Sequence, residues 1–455
     1  YIRGITNFPY GASGDIPVVK RPTYPDVTPT EVCGTISADS IWTLEDSPYL
    51  VTCYVTVGAG VTLSAEPGTI VKFESSSVGL TVNGTLDAQG TASQPVYFTS
   101  YQDDTVAGDT NGDGAASSPA AGDWERIYVS STGTAIFDQA VIRYGGYVDV
   151  GENGNLYVNR GSLTVSNSII TFSGQHGVYA YAASPAITGS QVINNSGSGI
   201  WVDDASYATI SPVLRDNVVS DNGSEAIQID FPQTENYLTG DATITGNTGN
   251  GNGTNGIALY GNITGTTVLA ANDLPYVVGD RLTVRDEQSL RFQPGTVVKF
   301  RSTNSFLDIY GTLLAEGEAD NEIVFTSFYD DAYGGDTNGD GSATTPAPGD
   351  WELIYVFPEG AATIDHAIVR YAGAELISGE NANIHANRGS LTVSNSTIAH
   401  SAAQGIYAYA TSPVITGNQI TDNGSNGIWI DEAVGVPTSA VLSNNVVSDN
   451  GSKAI

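Results

Sequence analysis

Short apolar segments alternate with polar turns along nearly the whole chain, and no helical periodicity interrupts them. The centres of these segments recur in pairs that lie thirteen residues apart, and one pair follows another after 22 to 30 residues. The pairs in the first half are Val165 and Val178, Ile187 and Ile200, Leu214 and Ile227, and Ile244 and Ile257. Asn-Gly and Ser-Gly corners separate the segments, which favours short strands joined by sharp turns. A repeat of this length is typical of one coil of a solenoid.

The pattern occurs twice, so the chain is a duplication. Pro67–Phe73 returns as Pro294–Phe300, 227 residues later. The apolar pairs of the second half are Val393 and Ile406, Ile415 and Ile428, and Leu442 and Ile455. We predict an all-β parallel β-helix, or β-solenoid, of two tandem copies of about 227 residues, with copy 1 at residues 38–264 and a shorter copy 2 at residues 265–455. Because a single coil cannot bury its own apolar face, the coils must stack into one continuous array.

Residues 1 to about 32 have no counterpart in copy 2. Prolines stand among glycines and threonines there, which excludes a helix and favours an extended N-terminal arm over residues 1–37. Cys33 and Cys53 are the only cysteines, and copy 2 has Tyr260 and Asp280 at the matching positions, so a repeated metal or redox role is excluded. A disulfide formed in an oxidising compartment is one interpretation, and two buried free thiols are the other.

Each copy carries the same aspartate loop, Asp-Thr-Asn-Gly-Asp-Gly, at Asp109–Gly114 and Asp336–Gly341. Such a loop supplies hard oxygen ligands at alternate positions, and its glycine permits the sharp turn that folds them around one cation. The loop resembles the calcium loops of dockerins and EF-hands, which implies one Ca²⁺ site in each copy. The candidate ligands are Asp109, Asn111 and Asp113 in copy 1 and Asp336, Asn338 and Asp340 in copy 2.

The twelfth loop position departs from that pattern. Dockerin and EF-hand loops have a bidentate Glu there, whereas this chain has Ala120 and Ala347. Another acid therefore has to complete the ligand shell. The candidates are Asp123 and Asp350, or the upstream pairs Asp103 and Asp104, and Asp330 and Asp331. The ion would fasten a long insertion to the solenoid wall, and a metal-free loop held by Asx turns is the alternative.

The coil sequence also resembles a known family. Asn418–Ile428 has the pattern Asn-x-Ile-x-x-Asn-Gly-x-x-Gly-Ile, which resembles the right-handed parallel β-helix repeats of the pectate-lyase-like superfamily. The lead Gly68–Phe73 and Leu80–Leu86, followed by the aspartate loop and Gly-Asp-Trp, resembles large bacterial and archaeal surface proteins. This resemblance covers nearly everything after residue 38 and implies a right-handed coil. It leaves function open, because the same solenoid carries lyases, epimerases, adhesins and inert stalks.

The charge and composition of the chain limit the classes of molecule that it can bind. Forty-nine acidic residues against sixteen basic ones give a net charge of -33, which repels nucleic acid and anionic membranes and attracts cations. No apolar run is long enough to span a bilayer. The chain lacks methionine and opens with Tyr1, so we expect a mature or processed segment that is extracellular or displayed on a cell surface.

Enzymes of this fold that resemble pectate lyases use calcium-bound acids together with an arginine or lysine as the base. The candidates for such a base are the duplicated Arg143 and Arg370, with Lys72 and Lys299. Basic residues isolated on an acidic solenoid are more often partners for carboxylates, so we assign no catalytic residue and expect no enzyme activity. Several aromatic residues offer either sugar-stacking platforms or packing: Trp124, Trp351, Tyr179, Tyr181, Trp201 and Trp429.

The sequence thus predicts a non-catalytic, calcium-stabilised structural protein of a surface filament, stalk or adhesin. Duplication favours this interpretation, because length grows with copy number whereas catalysis needs one site. The alternative is a polysaccharide lyase or another carbohydrate-active or glycan-binding β-helix protein.

Copy 2 stops at Ile455, inside a strand that continues in copy 1. We expect another copy of the chain to cover this open coil head to tail, giving a homopolymer in which residues 1–32 act as the connector. Further residues of a longer chain covering the same end are the alternative.

Overall fold

The fold is built from strands alone. The computed structural model describes residues 28–147, 151–204, 210–231, 242–263, 265–374 and 381–455. These residues form 42 strands and no helix, which confirms the all-β prediction. Consequently, no helix in this part of the chain is suited to crossing a lipid bilayer.

The strands are short and follow one another closely along the chain. From the N-terminus to the end of the first eight-stranded sheet they are β1 Thr30–Ile36, β2 Ser40–Trp42, β3 Tyr49–Val57, β4 Thr62–Ala65, β5 Ile70–Phe73, β6 Leu80–Val82, β7 Thr85–Gln89, β8 Val96–Ser100, β9 Ile127–Val129, β10 Thr134–Asp138, β11 Ala140–Arg143, β12 Gly154–Asn159, β13 Ser162–Ser166, β14 Ile169–Thr171, β15 His176–Tyr181, β16 Ala186–Thr188, β17 Gln191–Ile193, β18 Ile200–Asp203, β19 Val213–Arg215, β20 Val218–Ser220, β21 Glu225–Asp230 and β22 Thr243–Thr245.

The remaining strands repeat the same order. They are β23 Thr254–Ile263, β24 Thr266–Leu269, β25 Tyr276–Val284, β26 Ser289–Phe292, β27 Val297–Phe300, β28 Phe306–Ile309, β29 Thr312–Glu316, β30 Ile323–Ser327, β31 Ile354–Val356, β32 Ala361–Asp365, β33 Ala367–Arg370, β34 Ala382–Asn387, β35 Ser390–Ser394, β36 Thr397–Ala399, β37 Gln404–Tyr409, β38 Val414–Thr416, β39 Gln419–Thr421, β40 Ile428–Asp431, β41 Val441–Ser443 and β42 Val446–Ser448.

Each coil contributes one strand to each of three faces. In one coil the strands are β13, β14 and β15, and they pair in parallel with β16, β17 and β18 of the next coil. Two of the faces are joined through the long strands β3 and β25, so the described residues form one 27-stranded sheet, one eight-stranded sheet and one seven-stranded sheet. This topology confirms the predicted parallel β-helix.

The core consists of columns of like residues. Val165, Ile187, Leu214 and Ile244 are register partners on successive coils, and they are at most 2% exposed. The predicted apolar pairs of the first half are therefore all inward-facing. Burying one such side chain contributes roughly 1.5–3 kcal/mol relative to leaving it exposed, so the stacked columns supply most of the driving force.

Asparagines close one corner of the coils. The Asn195 backbone N–H and side-chain amide both donate to Asn222 Oδ1, at 3.1 and 2.9 Å. Asn222 makes the same two bonds to Asn252 Oδ1 and also donates to the Val192 carbonyl at 2.9 Å. A second corner carries the column Asn217, Asn247 and Asn272. These ladders satisfy backbone groups that the turn would otherwise leave unpaired.

The disulfide between Cys33 and Cys53 is present, which confirms that interpretation over free thiols. It joins β1 to β3, which are neighbours in the sheet. The predicted arm of residues 1–37 includes residues 30–36, but these form the first strand of the solenoid, because Val32 and Ile36 pack against its core. Residues 1–27 of the predicted arm lie outside the described residues.

The two copies form one solenoid. Strand pairing runs without interruption from β21 to β23, from β23 to β25 and from β25 to β27. Strands β1 and β23 are equivalent, since Thr30 is paired with Tyr49 and Ile257 with Tyr276, 227 residues further on in both cases. The first shared strand of each copy therefore begins before the predicted boundaries at residues 38 and 265.

We expect Asn222→Ala to lower the free energy of unfolding by about 2–4 kcal/mol, because it leaves the Asn195 donors and the Val192 carbonyl unpaired in a buried corner. The matched control is Asn250→Ala in the following coil, because the Asn250 side chain is exposed and lies outside the ladder of Asn195, Asn222 and Asn252. Urea unfolding should show a loss of less than about 1 kcal/mol for the control. Equal losses in both variants would contradict the ladder as the cause.

Candidate metal centre

The aspartate loop is an excursion from the wall of the solenoid. It leaves after β8 and returns at β9 in copy 1, and it lies between β30 and β31 in copy 2. Asp109 organises the first loop, since its Oδ1 accepts from the Gly112 N–H at 2.8 Å and its Oδ2 from the Gly114 N–H at 2.7 Å. Both glycines have positive φ, 71° and 75°, which side chains disfavour. The repeated glycines are thus required by the turn.

Three carboxylates converge in each loop. Oxygens of Asp104, Asp109 and Asp113 lie within 4.8 Å of one another. The same cluster recurs in copy 2, where it consists of Asp331, Asp336 and Asp340. The side chains of Asn111 and Asn338 lie against these clusters, and each donates to the last aspartate, at 3.1 and 2.9 Å. The structure therefore brings the predicted loop ligands together with one acid from the upstream pair.

Asp123 and Asp350, which were candidates to complete the shell, have another role. Asp123 Oδ2 accepts from Ser100 Oγ at 2.7 Å and from the Ala120 N–H at 2.8 Å, so it ties the end of the insertion to β8. Asp350 makes the same contacts with Ser327 and Ala347. Both lie outside the carboxylate clusters, and Asp104 and Asp331 take the place predicted for them.

Asp103 and Asp330 are also held by the wall rather than by the loop. Asp103 is fully buried, accepts from Thr99 Oγ1 and pairs with Arg143. Asp330 has the equivalent partners Thr326 and Arg370. These contacts use the carboxylates as acceptors, which leaves Asp104 and Asp331 as the members of each upstream pair that face the loop.

A buried lysine fastens each loop from inside. Lys72 is fully buried, and its Nζ donates to the Asp103 carbonyl at 2.9 Å, the Gly108 carbonyl at 3.1 Å and Thr110 Oγ1. Lys299 Nζ donates to the Gly335 carbonyl at 2.7 Å. Burial lowers the pKa of Lys72 to about 8, although the nearby aspartates oppose this shift. The ammonium groups thus have structural acceptors, as Arg143 and Arg370 do.

Trp124 and Trp351 are packing residues. Both are fully buried, and Trp124 stacks on Phe73 with a centroid separation of 4.1 Å. Trp351 stacks on Phe300 in the same way, at 3.8 Å. Each indole N–H donates to the carbonyl of the arginine that holds the loop, at 2.9 Å. Trp124 and Trp351 therefore pack under the loops and are not sugar-stacking platforms.

Tyr179, Trp201 and Trp429 belong to columns of aromatic rings on one outer face, whereas the Tyr181 ring lies under the Arg160 guanidinium. Tyr157 lies 5.2 Å from Tyr128 and 4.9 Å from Tyr179, and Trp201 follows Tyr179 at 5.1 Å, all between ring centroids. The corresponding column of copy 2 contains Tyr355, His385, Tyr407 and Trp429. Neighbouring rings pack edge-on or tilted against one another. Such pairs contribute about 0.5–1.5 kcal/mol beyond the area they bury.

An acid of raised pKa lies at the end of the first column. Asp230 Oδ2 accepts from Trp201 Nε1 at 2.7 Å, and both carboxylate oxygens accept from Gln228 at 3.1 Å. Burial raises the pKa of Asp230 to about 6, while these hydrogen bonds act in the opposite direction. The folded state therefore prefers the protonated carboxyl, and its stabilising contribution is lost as pH rises from about 4 through 6.

We expect Asp230→Asn to remove this pH dependence. The free energy of unfolding of the variant, relative to the wild type, should increase by about 1–3 kcal/mol between pH 4 and pH 7, because only the wild type has a carboxyl at position 230 to ionise over that range. Denaturant unfolding followed by tryptophan fluorescence at the two pH values measures this difference. Asp320→Asn, at an exposed acid, is the control and should show no such change. A constant difference at both pH values would contradict the assignment.

Comparison with known proteins agrees with this architecture. A family model described as a right-handed beta helix region matches residues 123–272 and 351–455. The matches begin in corresponding parts of the two copies, at the Gly-Asp-Trp-Glu segment that follows each aspartate loop. No curated protein and no solved structure matches the chain. Because the family matches cover more than half of its residues, the chain belongs to the right-handed β-helix family.

Proposed function

We propose that this protein is a non-catalytic, calcium-stabilised structural solenoid, a building block of an extracellular or cell-surface filament, stalk or adhesin. The observation that carries the proposal is the three-carboxylate cluster, which is built in the same way in both copies. Each cluster lies on an insertion that the wall already holds through a buried lysine and an arginine. A cation at the cluster would fix the outer part of the same insertion.

The residues of the cluster fit a hard divalent cation. Asp331 Oδ1 is buried and has no hydrogen-bond partner among the described residues. Burial, and then the charge of Asp336, raises the pKa of Asp331, so the cluster is electrostatically unfavourable without a counter-charge. Calcium binds six to eight oxygen ligands, often from carboxylates, amides, carbonyls and water. Asp331, Asp336, Asp340 and Asn338 would supply protein oxygens for it.

The surroundings of the cluster favour a structural role over a catalytic one. The basic residues considered for a lyase, Lys72 and Arg143, donate their hydrogen bonds to the loop and to Asp103. Both copies keep this arrangement, with Lys299 and Arg370 in the same roles. A group that fastens the chain in this way is poorly placed to accept a proton from a substrate.

The Cys33–Cys53 disulfide supports a location in an oxidising compartment, such as the cell exterior. The proposed assembly is head to tail, with copies of this chain as partners. Residues 30–36 belong to the chain's own sheet, so a connecting strap would have to come from the residues before them.

Glycan binding is the second candidate, and the column of aromatic rings on one outer face of each copy favours it. Tryptophan and tyrosine rings on such a face are suited to stacking on a sugar. Trp201 is followed by Gln228 on the next coil and donates to Asp230, so its ring edge is already engaged. A glycan array compares the wild type with Trp201→Ala and Trp429→Ala, and binding that both changes abolish would support an adhesin.

We expect two Ca²⁺ ions to bind, and the double variant Asp104→Asn and Asp331→Asn to weaken binding at least tenfold, because each change removes one charge from a cluster. Ca²⁺ at a hundred times its dissociation constant should stabilise the folded state by about 2.7 kcal/mol for each ion bound. Titration calorimetry measures binding. Chelation should lower the melting temperature and expose residues 101–125 and 328–352 to protease.

The matched control is Asp123→Asn with Asp350→Asn, which changes the same number of charges outside the clusters. Its Ca²⁺ affinity should stay near that of the wild type. A wild-type protein that binds no Ca²⁺, or a melting curve that chelator leaves unchanged, would refute the calcium proposal. Turnover of acidic or neutral polysaccharides that is lost on changing Arg143 and Arg370 together would replace it with the enzymatic alternative.

A further inference from the structure

The asparagine ladder of copy 1 ends on the aspartate loop of copy 2. Asn252 accepts the two hydrogen bonds of Asn222, and its own backbone N–H and side-chain amide donate to Asn255 Oδ1, at 2.8 and 3.3 Å. Asn255 Nδ2 donates in turn to the Asp336 carbonyl at 2.9 Å, and the Asn255 N–H donates to the Thr337 carbonyl at 2.8 Å. The corner of the solenoid is thus hydrogen-bonded to the first two residues of the loop.

These bonds hold the loop at a residue of the carboxylate cluster. Asp336 contributes one carboxylate, and its side chain also accepts from the Asp340 N–H at 3.1 Å and the Gly341 N–H at 2.8 Å. The main-chain carbonyl of the same residue is the acceptor for Asn255. The position of Asp336 therefore determines the turn that brings Asp340 to the cluster. A shift at Asn255 would move two of the three carboxylates.

A cleft of about 400 Å³ lies between the loop and the corner. Glycines form much of its lining: Gly249, Gly251, Gly334, Gly335 and Gly339. Because glycine has no side chain to fill the cleft, packing contributes little to the placement of the loop there. The hydrogen bonds of Asn255 are therefore well placed to determine it.

The asparagine that holds the loop in copy 2 is not repeated in copy 1. Asn255 lies two residues before Ile257, whose equivalent is Thr30, so position 255 corresponds to Thr28. Threonine has no side-chain amide to continue a ladder of asparagines. Among the described residues, no hydrogen bond joins Thr28 to the loop of copy 1.

A tyrosine provides the matching donor in copy 1. The Tyr101 hydroxyl donates to the Thr110 carbonyl at 3.1 Å, and Thr110 is the counterpart of Thr337. Copy 2 has Phe328 in place of Tyr101, so this hydroxyl is missing there. The same loop carbonyl is therefore held by the segment directly after β8 in copy 1 and by the solenoid corner in copy 2.

We propose that Asn255 is the positioning residue of the copy-2 Ca²⁺ site and couples that site to the asparagine ladder, so that the two Ca²⁺ sites are not equivalent. A cation in copy 2 holds the loop, the loop holds Asn255, and Asn255 holds the corner formed by Asn252 and Asn222. A cation in copy 1 stabilises a loop that its own coil holds, and it leaves the ladder unaffected. This inference rests on the proposed Ca²⁺ binding and specifies what one of the two ions does beyond its own loop.

Coupling of this kind is reciprocal, so a ladder that strengthens Ca²⁺ binding is itself strengthened by Ca²⁺ by the same factor. The ladder belongs to copy 1 and the cluster to copy 2, and an ion pair between Glu225 Oε1 and Arg301 Nη1, at 3.1 Å, also joins the two copies there. The copy-2 ion therefore fastens one copy to the other.

Chains with a single intact cluster test the positioning role. Asp104→Asn leaves the copy-2 cluster intact, and Asp331→Asn leaves the copy-1 cluster intact. Adding Asn255→Ala should weaken Ca²⁺ binding about fivefold or more in the first chain and less than about twofold in the second, measured by titration calorimetry. The matched control is Tyr101→Phe, which should weaken binding in the second chain and leave the first unchanged.

Hydrogen exchange measures the coupling to the ladder. The Asn222 and Asn252 N–H groups donate within the ladder, so their exchange reports opening of the corner. Saturating Ca²⁺ should slow exchange in peptides covering residues 219–256 about fivefold or more in the wild type and in Asp104→Asn. It should not do so in Asp331→Asn or in Asn255→Ala.

Phe328→Tyr provides a rescue that separates the two effects. Added to Asn255→Ala, it supplies the copy-1 hydroxyl to the Thr337 carbonyl and should restore most of the lost Ca²⁺ affinity, which also shows that the chain is folded. The bond from position 255 to the Asp336 carbonyl is still missing, so the Ca²⁺-dependent protection of residues 219–256 should not return.

Two results would overturn the inference while Ca²⁺ still binds. The first is an Asn255→Ala chain in which both sites, or neither, lose affinity. The second is exchange in residues 219–256 that Ca²⁺ slows equally in Asp104→Asn and Asp331→Asn. A wild type that binds no Ca²⁺ refutes the proposed function, and the inference with it. Calorimetry of the wild type distinguishes the two failures, because the first leaves two occupied sites and the second leaves none.

Discussion

In-register parallel stacking is the constraint on which the rest of this structure depends. Every coil places its residues above the equivalent residues of the previous coil, so a position that faces inward does so throughout a column. A shift of one residue would move the apolar side chains of a strand to the opposite face. The asparagine ladders resist that shift, because their paired donors fit only one alignment of successive corners.

This constraint explains why the fold could be predicted from the sequence. Because equivalent residues stack on successive coils, each buried column appears in the sequence as apolar residues at a regular spacing. A pair such as Ile187 and Ile200 therefore marks two faces of one coil. Asp109 and Asp113 could also be predicted as ligands from the sequence, because they are close neighbours in the chain. The end of the arm could not be predicted in the same way. The prolines before Thr30 indicate an extended chain, but they do not show at which residue that chain joins the sheet.

The remaining ligand could not be assigned from the sequence because the choice depends on distant partners. Asp103 is engaged by Arg143, which is forty residues away in the chain, and is therefore not directed at the loop. Asp123 is engaged by Ser100 on the preceding strand. Asp104 remains for the cluster. The pair between Glu225 and Arg301 spans 76 residues and was missed.

The position of the disulfide has a mechanical consequence. In a stack of parallel coils, tension along the axis pulls on the hydrogen bonds between adjacent coils. Cys33 lies on β1 and Cys53 on β3, so the covalent bond bridges two successive coils. A pull that enters the solenoid at Thr30 is therefore carried by a sulfur–sulfur bond from β1 into β3, and the hydrogen bonds between these two strands do not bear the load alone.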